Sequence, residues 1–152
     1  MTTLPELHCT PLNSLERKLL DHFYRQYGSR MRAAADGELW VARAKGIVGG
    51  MSLTPMADGR WLTGLFVAPQ WRGRQVATQL IETALKDASA PIWLFCHPDL
   101  RTFYQRLAFT DTDALPEALG ARLARYQRSK RLVAMVRDQS SRASSPGNST
   151  SV

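Results

Sequence analysis

The sequence predicts a mixed α/β fold, α+β-like in character, with a central mixed, mostly antiparallel sheet of about six or seven strands flanked by helices. Three observations predict it. Apolar runs at 38–44, 47–53 and 60–67 are separated only by short turn segments, as in an antiparallel meander. A strand over 60–67, a helix over 76–88 and an apolar run over 91–96 form a βαβ unit, whose two strands should run parallel. The 152 residues, 44% of them hydrophobic, suit one domain with a proper core.

Each element has its own signal. Residues 4–10 (LPELHCT) read as a short first strand. Asn13 followed by Glu16 has the form of a capping box. Leu15, Leu19, Phe23 and Tyr27 recur every four residues, predicting a helix over 14–27 that Gly28 ends. Lys45-Gly46 is a turn pair between two strands, with the glycine placed for a positive φ, and Asp58-Gly59 marks a second hairpin. Gly49-Gly50 inside a strand signals a bulge or a close backbone approach. Val76, Ala77, Leu80, Ile81, Ala84, Leu85 and Ala88 share one face of a helix. PIWLFC (91–96) is apolar throughout, as in a strand buried on both faces.

Asp99 then caps a short helix with Leu100, Phe103, Tyr104 and Leu107 on one face. Ala108-Phe109 begins a strand, and Pro116 starts a helix with Leu119, Leu123 and Tyr126 on one side. LVAMV (132–136) is the last strand. From Asp138 the chain is serine-rich and nearly without apolar residues, so 138–152 is expected to be a disordered tail. No internal repeat is present.

Composition narrows the function classes. No stretch of about 18 apolar residues exists, and MTTLPELHCT lacks the basic start and apolar core of a leader, so neither a membrane span nor a signal peptide is expected. Cys9 and Cys96 then read as free thiols in a cytoplasmic protein. The net charge of +7 fits an acidic cofactor as well as a polyanionic partner. Arg122, Arg125, Arg128, Lys130, Arg131 and Arg137 form a segment without acids, more commonly a solvated basic face, so nucleic acid is the less favoured partner.

The chemistry concentrates between the 60–67 strand and the 76–88 helix. There Gln70-Trp71-Arg72-Gly73-Arg74-Gln75 sets two guanidinium groups and a glycine at a helix start. The first N–H groups of a helix lack internal partners and carry the positive end of its dipole, so the loop is suited to phosphate. Arginine adds bidentate donors. The loop is neither a P-loop nor a dinucleotide fingerprint, since it lacks Gly-Lys-Ser/Thr and three spaced glycines.

Val67-Ala68-Pro69-Gln70-Trp71-Arg72-Gly73-Arg74-Gln75-Val76-Ala77 resembles the acetyl-CoA-binding motif of the GNAT superfamily of N-acyltransferases, Val-x-Pro-x-x-Arg-Gly-x-Gly-x-Gly/Ala. Arg72 and Ala77 match its core, while Gln75 stands where the family usually has glycine. A second stretch, from His97 to Phe109, resembles the family's Asn-x-x-Ala-x-x-Phe-Tyr-x-x-x-Gly-Phe. Phe103, Tyr104 and Phe109 match, whereas His97, Leu100 and Ala108 replace the Asn, Ala and Gly. The resemblance spans roughly 5–137 in element order and is specific over 60–109, which makes 1–137 a GNAT-type domain.

That resemblance implies roles. Backbone groups of Leu65, Phe66 and Val67 would hold the pantetheine arm and thioester carbonyl. The amides of Arg72, Gly73, Arg74, Gln75, Val76, Ala77 and Thr78 would hold the pyrophosphate. Tyr104 falls at the position of the general acid, a role suited to a phenol protonated at neutral pH. His97 is equally a base or a strand-end residue contacting backbone, and 60–67 carries no glutamate, so the base is unassigned.

The implied function is N-acetyl transfer from acetyl-CoA, a co-substrate used without metal, to an amine of a small molecule or protein. The amine attacks directly in a ternary complex. The alternative is a non-catalytic acetyl-CoA-binding regulatory module acting on a partner protein. A homodimer is left open. Tyr24, Arg30, Arg32, Tyr126 and Arg128 lie in the regions that would build the acceptor pocket, and suggest a polar or acidic group near the acceptor.

Overall fold

The computed structural model describes residues 6–138. Its strands are β1 (His8–Leu12), β2 (Glu38–Arg43), β3 (Ile47–Met56), β4 (Gly59–Val67), β5 (Ile92–Cys96), β6 (Thr110–Asp111) and β7 (Val133–Arg137). Its α-helices are α1 (Arg17–Gln26), α2 (Val76–Leu85), α3 (Arg101–Gln105) and α4 (Glu117–Tyr126). The seven strands form one mixed sheet in the order β1-β2-β3-β4-β5-β7-β6. Pairing is antiparallel for β1–β2, β2–β3, β5–β7 and β6–β7, and parallel for β4–β5, as the βαβ pattern requires. The chain gathers into two compact units: up to Thr54 with Leu62–Asp87, and Pro55–Trp61 with the chain from Ala88.

The first unit begins with β1, four residues later than the expected 4–10. The capping box is present: the Glu16 amide donates to Asn13 Oδ1 (3.0 Å) and the Asn13 amide to Glu16 Oε1 (3.2 Å). A 3-10 turn over Ser14–Glu16 then leads into α1. Gly28 closes α1 at φ 69°, with its N–H on the Arg25 carbonyl and the Ser29 N–H on the Tyr24 carbonyl.

The face that α1 buries is Leu20, Phe23 and Tyr24, packed with Leu39 and Val41. Leu15 and Leu19 are instead 91% and 42% exposed. Gly49-Gly50 is a close approach: an added Cβ would stand 2.5 Å from Leu20 Cδ1 at Gly50 and 3.0 Å from Val76 Cγ1 at Gly49. The bulge falls beside them, where Ala42 opposes Gly49 but Arg43 opposes Ile47. Gly46 does not take the left-handed conformation expected of it; in the following loop Ala57 does, at φ 52°. The helix expected over 76–88 ends at Leu85, burying Val76, Leu80, Ile81 and Leu85.

In the second unit Gly59 is required by space. A Cβ there would lie 2.1 Å from the Pro91 carbonyl oxygen, which accepts the Arg60 N–H at 2.9 Å. Trp61, Trp93 and Leu119 form the core, with the Arg122 guanidinium 4.9 Å from the Trp61 ring centroid. β5 is buried at Ile92, Trp93, Leu94 and Cys96. The turn after it is capped by His97 rather than Asp99: the Asp99 amide donates to His97 Nδ1 at 3.1 Å. Leu100 is 45% exposed, so the buried face of α3 is Tyr104 with Leu107 just beyond it. The strand expected from Ala108 begins at Thr110, because Ala108 (φ 70°) still belongs to the turn closing α3. Apart from Asp138, the tail expected over 138–152 lies outside the described residues. Among the described residues no helix is long and apolar enough to cross a membrane.

Candidate active site

Strand β4 runs on through Gly64, which takes φ 69° in mid-strand and kinks it there. The kink is held by Tyr24, whose hydroxyl donates to the Gly64 carbonyl at 2.6 Å; a Cβ at 64 would meet that hydroxyl at 2.8 Å. Tyr24 is therefore a buried fastener and not an acceptor-pocket residue. Beyond the kink, Leu65 is half-buried. The Phe66 ring is engaged by Phe23, Tyr24 and Tyr27 at centroid distances of 5.8, 6.4 and 6.3 Å. The Ala68 amide donates to the Val48 carbonyl at 2.8 Å, and this fixes where the strand leaves the sheet.

A 3-10 turn over Pro69–Trp71 then carries the chain into the loop. Arg72 is extended at φ −70° and ψ 149°, with its Nε donating to the Val67 carbonyl (2.9 Å) and its guanidinium 5.1 Å from the Phe66 centroid. Gly73 takes φ 77°. The Arg74 guanidinium stacks on Trp71 at 5.3 Å. Gln75, the N-cap of α2, takes φ 68° and ψ 17°. No side chain caps α2 and its first turn contains no acid. Its leading N–H groups and dipole are left for an external anion, beside two exposed guanidinium groups. A Cβ at Gly73 would meet nothing within 4 Å, so the loop stands open there. This donor set fits the pyrophosphate of a CoA thioester: amides and arginines without an opposing carboxylate.

Leu65, Phe66, Val67, Arg72, Gly73, Arg74, Gln75, Val76, Ala77 and Thr78 all belong to the first unit, in one strand–loop–helix passage. Val76 is buried, so only its amide is available. Tyr104 belongs to the second unit, in α3, with its ring 5.0 Å from Phe103 and 5.8 Å from Phe109. Burial pushes its phenol well above the ordinary tyrosine range, and nearby Cys96 adds to the shift, so Tyr104 stays protonated. His97 spends Nδ1 on the Asp99 amide and lies 3.4 Å from Asp99 Oδ2. That is the backbone-contacting role, and the base stays unassigned.

The family model for the acetyltransferase (GNAT) domain matches residues 35–111, which take in both motifs. The chain belongs to the GNAT acetyltransferase family. A GNAT acetyltransferase is an acyltransferase, and the fold supports acyl transfer from acetyl-CoA in general. No protein of curated function matches the chain in sequence.

Among solved structures, the domain is similar to a GNAT-family acetyltransferase of Staphylococcus aureus Mu50, with TM-score 0.60, 15% identity, and coverage of 88% of this chain and 99% of that one. Escherichia coli ElaA gives TM-score 0.61 and 15% identity, over 88% and 99% of the two chains. Rv2747 of Mycobacterium tuberculosis, solved in complex with CoA and NLQ, gives TM-score 0.61 and 14% identity, over 85% and 97%. At these identities the likeness is one of fold.

Within this GNAT domain two of the four departures from the family motifs, the glycine replacements, carry the same backbone. Gln75 and Ala108 replace glycines, and both take the left-handed conformation that glycine adopts most easily, at φ 68° and φ 70°. Sequence reasoning missed the kink at Gly64, although a glycine inside the 60–67 run is the signal for one.

Proposed function

We propose that this GNAT domain transfers the acetyl group of acetyl-CoA to an amine by direct attack in a ternary complex. The observation that carries the reading is the uncapped start of α2, with Gly73 and Gln75 both left-handed and no acid in the turn. Acetyl-CoA supplies the acyl group as a thioester. The amides from Arg72 to Thr78 would hold its pyrophosphate, and backbone groups of Leu65, Phe66 and Val67 its pantetheine arm. As the C–N bond forms and the C–S bond breaks, Tyr104 gives its Oη proton to the departing sulfur and recovers one from solvent. The amine loses its proton to water. The role of Tyr104 is supported by its place in the motif, as a phenol that is protonated at neutral pH. The free thiols Cys9 and Cys96 suit a reducing compartment, and we place the protein in the cytoplasm.

The test pairs calorimetry with an amine panel read by free-thiol release. Acetyl-CoA should bind, and Arg72→Ala with Arg74→Ala should weaken it by about 1–3 kcal/mol, the worth of charge-assisted hydrogen bonds. Tyr104→Phe should keep that binding and lower turnover by about 10²–10⁴-fold. Unchanged affinity in the double variant refutes the loop assignment. Equal turnover in Tyr104→Phe and wild type removes Tyr104 as the acid.

A further inference from the structure

We propose that a pocket in the first unit, lined by Asp21, Arg25, Ser29, Arg30, Met31 and Arg32, receives a carboxylate carried by the acceptor amine. The proposal rests on the transfer reaction above and names its substrate class. The cavity measures about 330 Å³, the size that suits a small metabolite. Three arginines line it against one aspartate. Asp21 is already committed, with its Oδ1 accepting the Ala33 amide at 2.8 Å. Among the described residues none of Arg25, Arg30 and Arg32 pairs with an acid. Other arginines of the chain are occupied: Arg17 donates to the Ala34 and Ala35 carbonyls, Arg43 pairs with Glu16 and Arg101 with Asp111.

The segment that carries these arginines is pinned rather than slack. Gly28 turns the chain out of α1, and the Ser29 amide returns to the Tyr24 carbonyl at 2.9 Å. The Met31 amide donates to Ser29 Oγ (3.2 Å) and the Ala34 amide to the buried Ser52 Oγ (3.1 Å). A backbone already fixed spares a ligand the cost of ordering the loop, leaving only the arginine side chains to be ordered. Their fork geometry matches a carboxylate.

Position links the pocket to the reaction. The Arg32 carbonyl lies 3.8 Å from where a Cβ on Gly64 would stand, and Tyr24 bonds the Gly64 carbonyl. The kink at Gly64 immediately precedes Leu65, where the thioester is proposed to lie. A cationic pocket disfavours an acceptor whose only charge is its ammonium group. An amine that also bears a carboxylate can anchor its anion there and present its nitrogen to β4.

The test uses the full chain and matched acceptors: amino acids, their primary amides, the corresponding decarboxylated amines, and a phosphate-bearing amine. The acids should exceed the amides by about tenfold or more in kcat/KM, as expected of charge-assisted contacts. Arg30→Gln with Arg32→Gln should raise KM for the acid by a similar factor, leaving kcat and the KM for acetyl-CoA nearly unchanged. Arg30→Lys should recover part of the loss. Equal kcat/KM for acid and amide, preference for the phosphate, or a rise in the acetyl-CoA KM instead would each overturn the proposal. If wild type acetylates no amine, the transfer reading fails and the pocket is judged alone, by calorimetry with the same carboxylates. Binding lost in the double variant then upholds the anion site, and absence of binding to wild type ends it.

Discussion

Ala108 and Gly28 occupy the same position of the same motif, so exchanging their side chains should move stability in opposite directions. Each follows a helix in the left-handed conformation, at φ 70° and φ 69°. Each sits within the same pair of closing bonds. The N–H of Gly28 meets the Arg25 carbonyl (3.0 Å) and that of Ser29 the Tyr24 carbonyl (2.9 Å). The N–H of Ala108 meets the Gln105 carbonyl (3.0 Å) and that of Phe109 the Tyr104 carbonyl (3.1 Å). This is the Schellman arrangement, whose left-handed residue is usually glycine. Its accompanying apolar contact is present as the Tyr104–Phe109 ring pair at 5.8 Å.

A Cβ in the left-handed region costs about 1–2 kcal/mol, while glycine gives back about 0.5–1 kcal/mol through its freer unfolded state. The net difference is about 0.5–1 kcal/mol in favour of glycine. Ala108→Gly should therefore raise stability by that amount, or Tm by about 1–4 °C. Gly28→Ala should lower it similarly, because a Cβ there meets nothing within 4 Å and only the backbone term operates. Urea unfolding followed by circular dichroism reads both, with m unchanged. A loss of stability in Ala108→Gly would show that the Ala108 methyl contributes more by packing than its conformation costs. Changes of the same sign in both variants would refute the shared account of the two turns.

Three further outcomes are expected. Gln75→Gly should stabilise the fold by a similar few tenths to about 1 kcal/mol and leave acetyl-CoA affinity equal or tighter; a weaker Kd by calorimetry would mean the Gln75 side chain itself binds. Gly59→Ala should destabilise by about 1–3 kcal/mol, since its methyl would occupy space held by the Pro91 carbonyl 2.1 Å away; a Tm within one degree or so of wild type would contradict that contact. Burial raises the folded pKa of Tyr24 and Tyr104 above the unfolded value near 10, so their contribution is whole below about pH 10 and is lost as pH rises further. Unfolding midpoints from about pH 10 upward should fall less steeply in Tyr104→Phe, and parallel curves there would count against a buried neutral phenol.

The sequence made local features legible where one or two residues decide them. Asn13 and Glu16 specify a cap within three residues, Gly28 a helix end, and Gly49-Gly50 a close approach, and the structure has all three. The parallel pairing of β4 with β5 followed from the connecting helix alone. The buried side of α1 did not follow. A row of residues spaced by four drifts about 40° at each step around a helix with 3.6 residues per turn. Leu15 and Leu19 therefore rotate outward, while Leu20, Phe23 and Tyr24, spaced three and four, face the core. The identity of the cap before α3 was hidden for another reason. Asp99 is the residue type that commonly caps, yet the His97 ring nitrogen takes the Asp99 amide. Tyr24 could be assigned to an acceptor pocket from sequence because its partner, the Gly64 carbonyl, lies forty residues away.

The two glycine replacements show what a binding motif specifies. Letters of a motif record side chains, but an anion at a helix start is held by N–H vectors, and those depend on φ and ψ. Gln75 keeps the left-handed backbone at φ 68° and ψ 17° while its side chain stands exposed, so the amides of Val76 and the residues after it still open the helix. The conformational cost, about 1 kcal/mol, is small beside the burial of Val76, Leu80, Ile81 and Leu85, each fully buried aliphatic chain contributing about 1.5–3 kcal/mol. Packing of α2 therefore dictates the loop conformation, and the residue at 75 conforms to it. The same holds at Ala108, where the buried rings of Tyr104 and Phe109 fix the turn. A chain can thus lose the loop glycine and keep the amide donors that phosphate recognition requires.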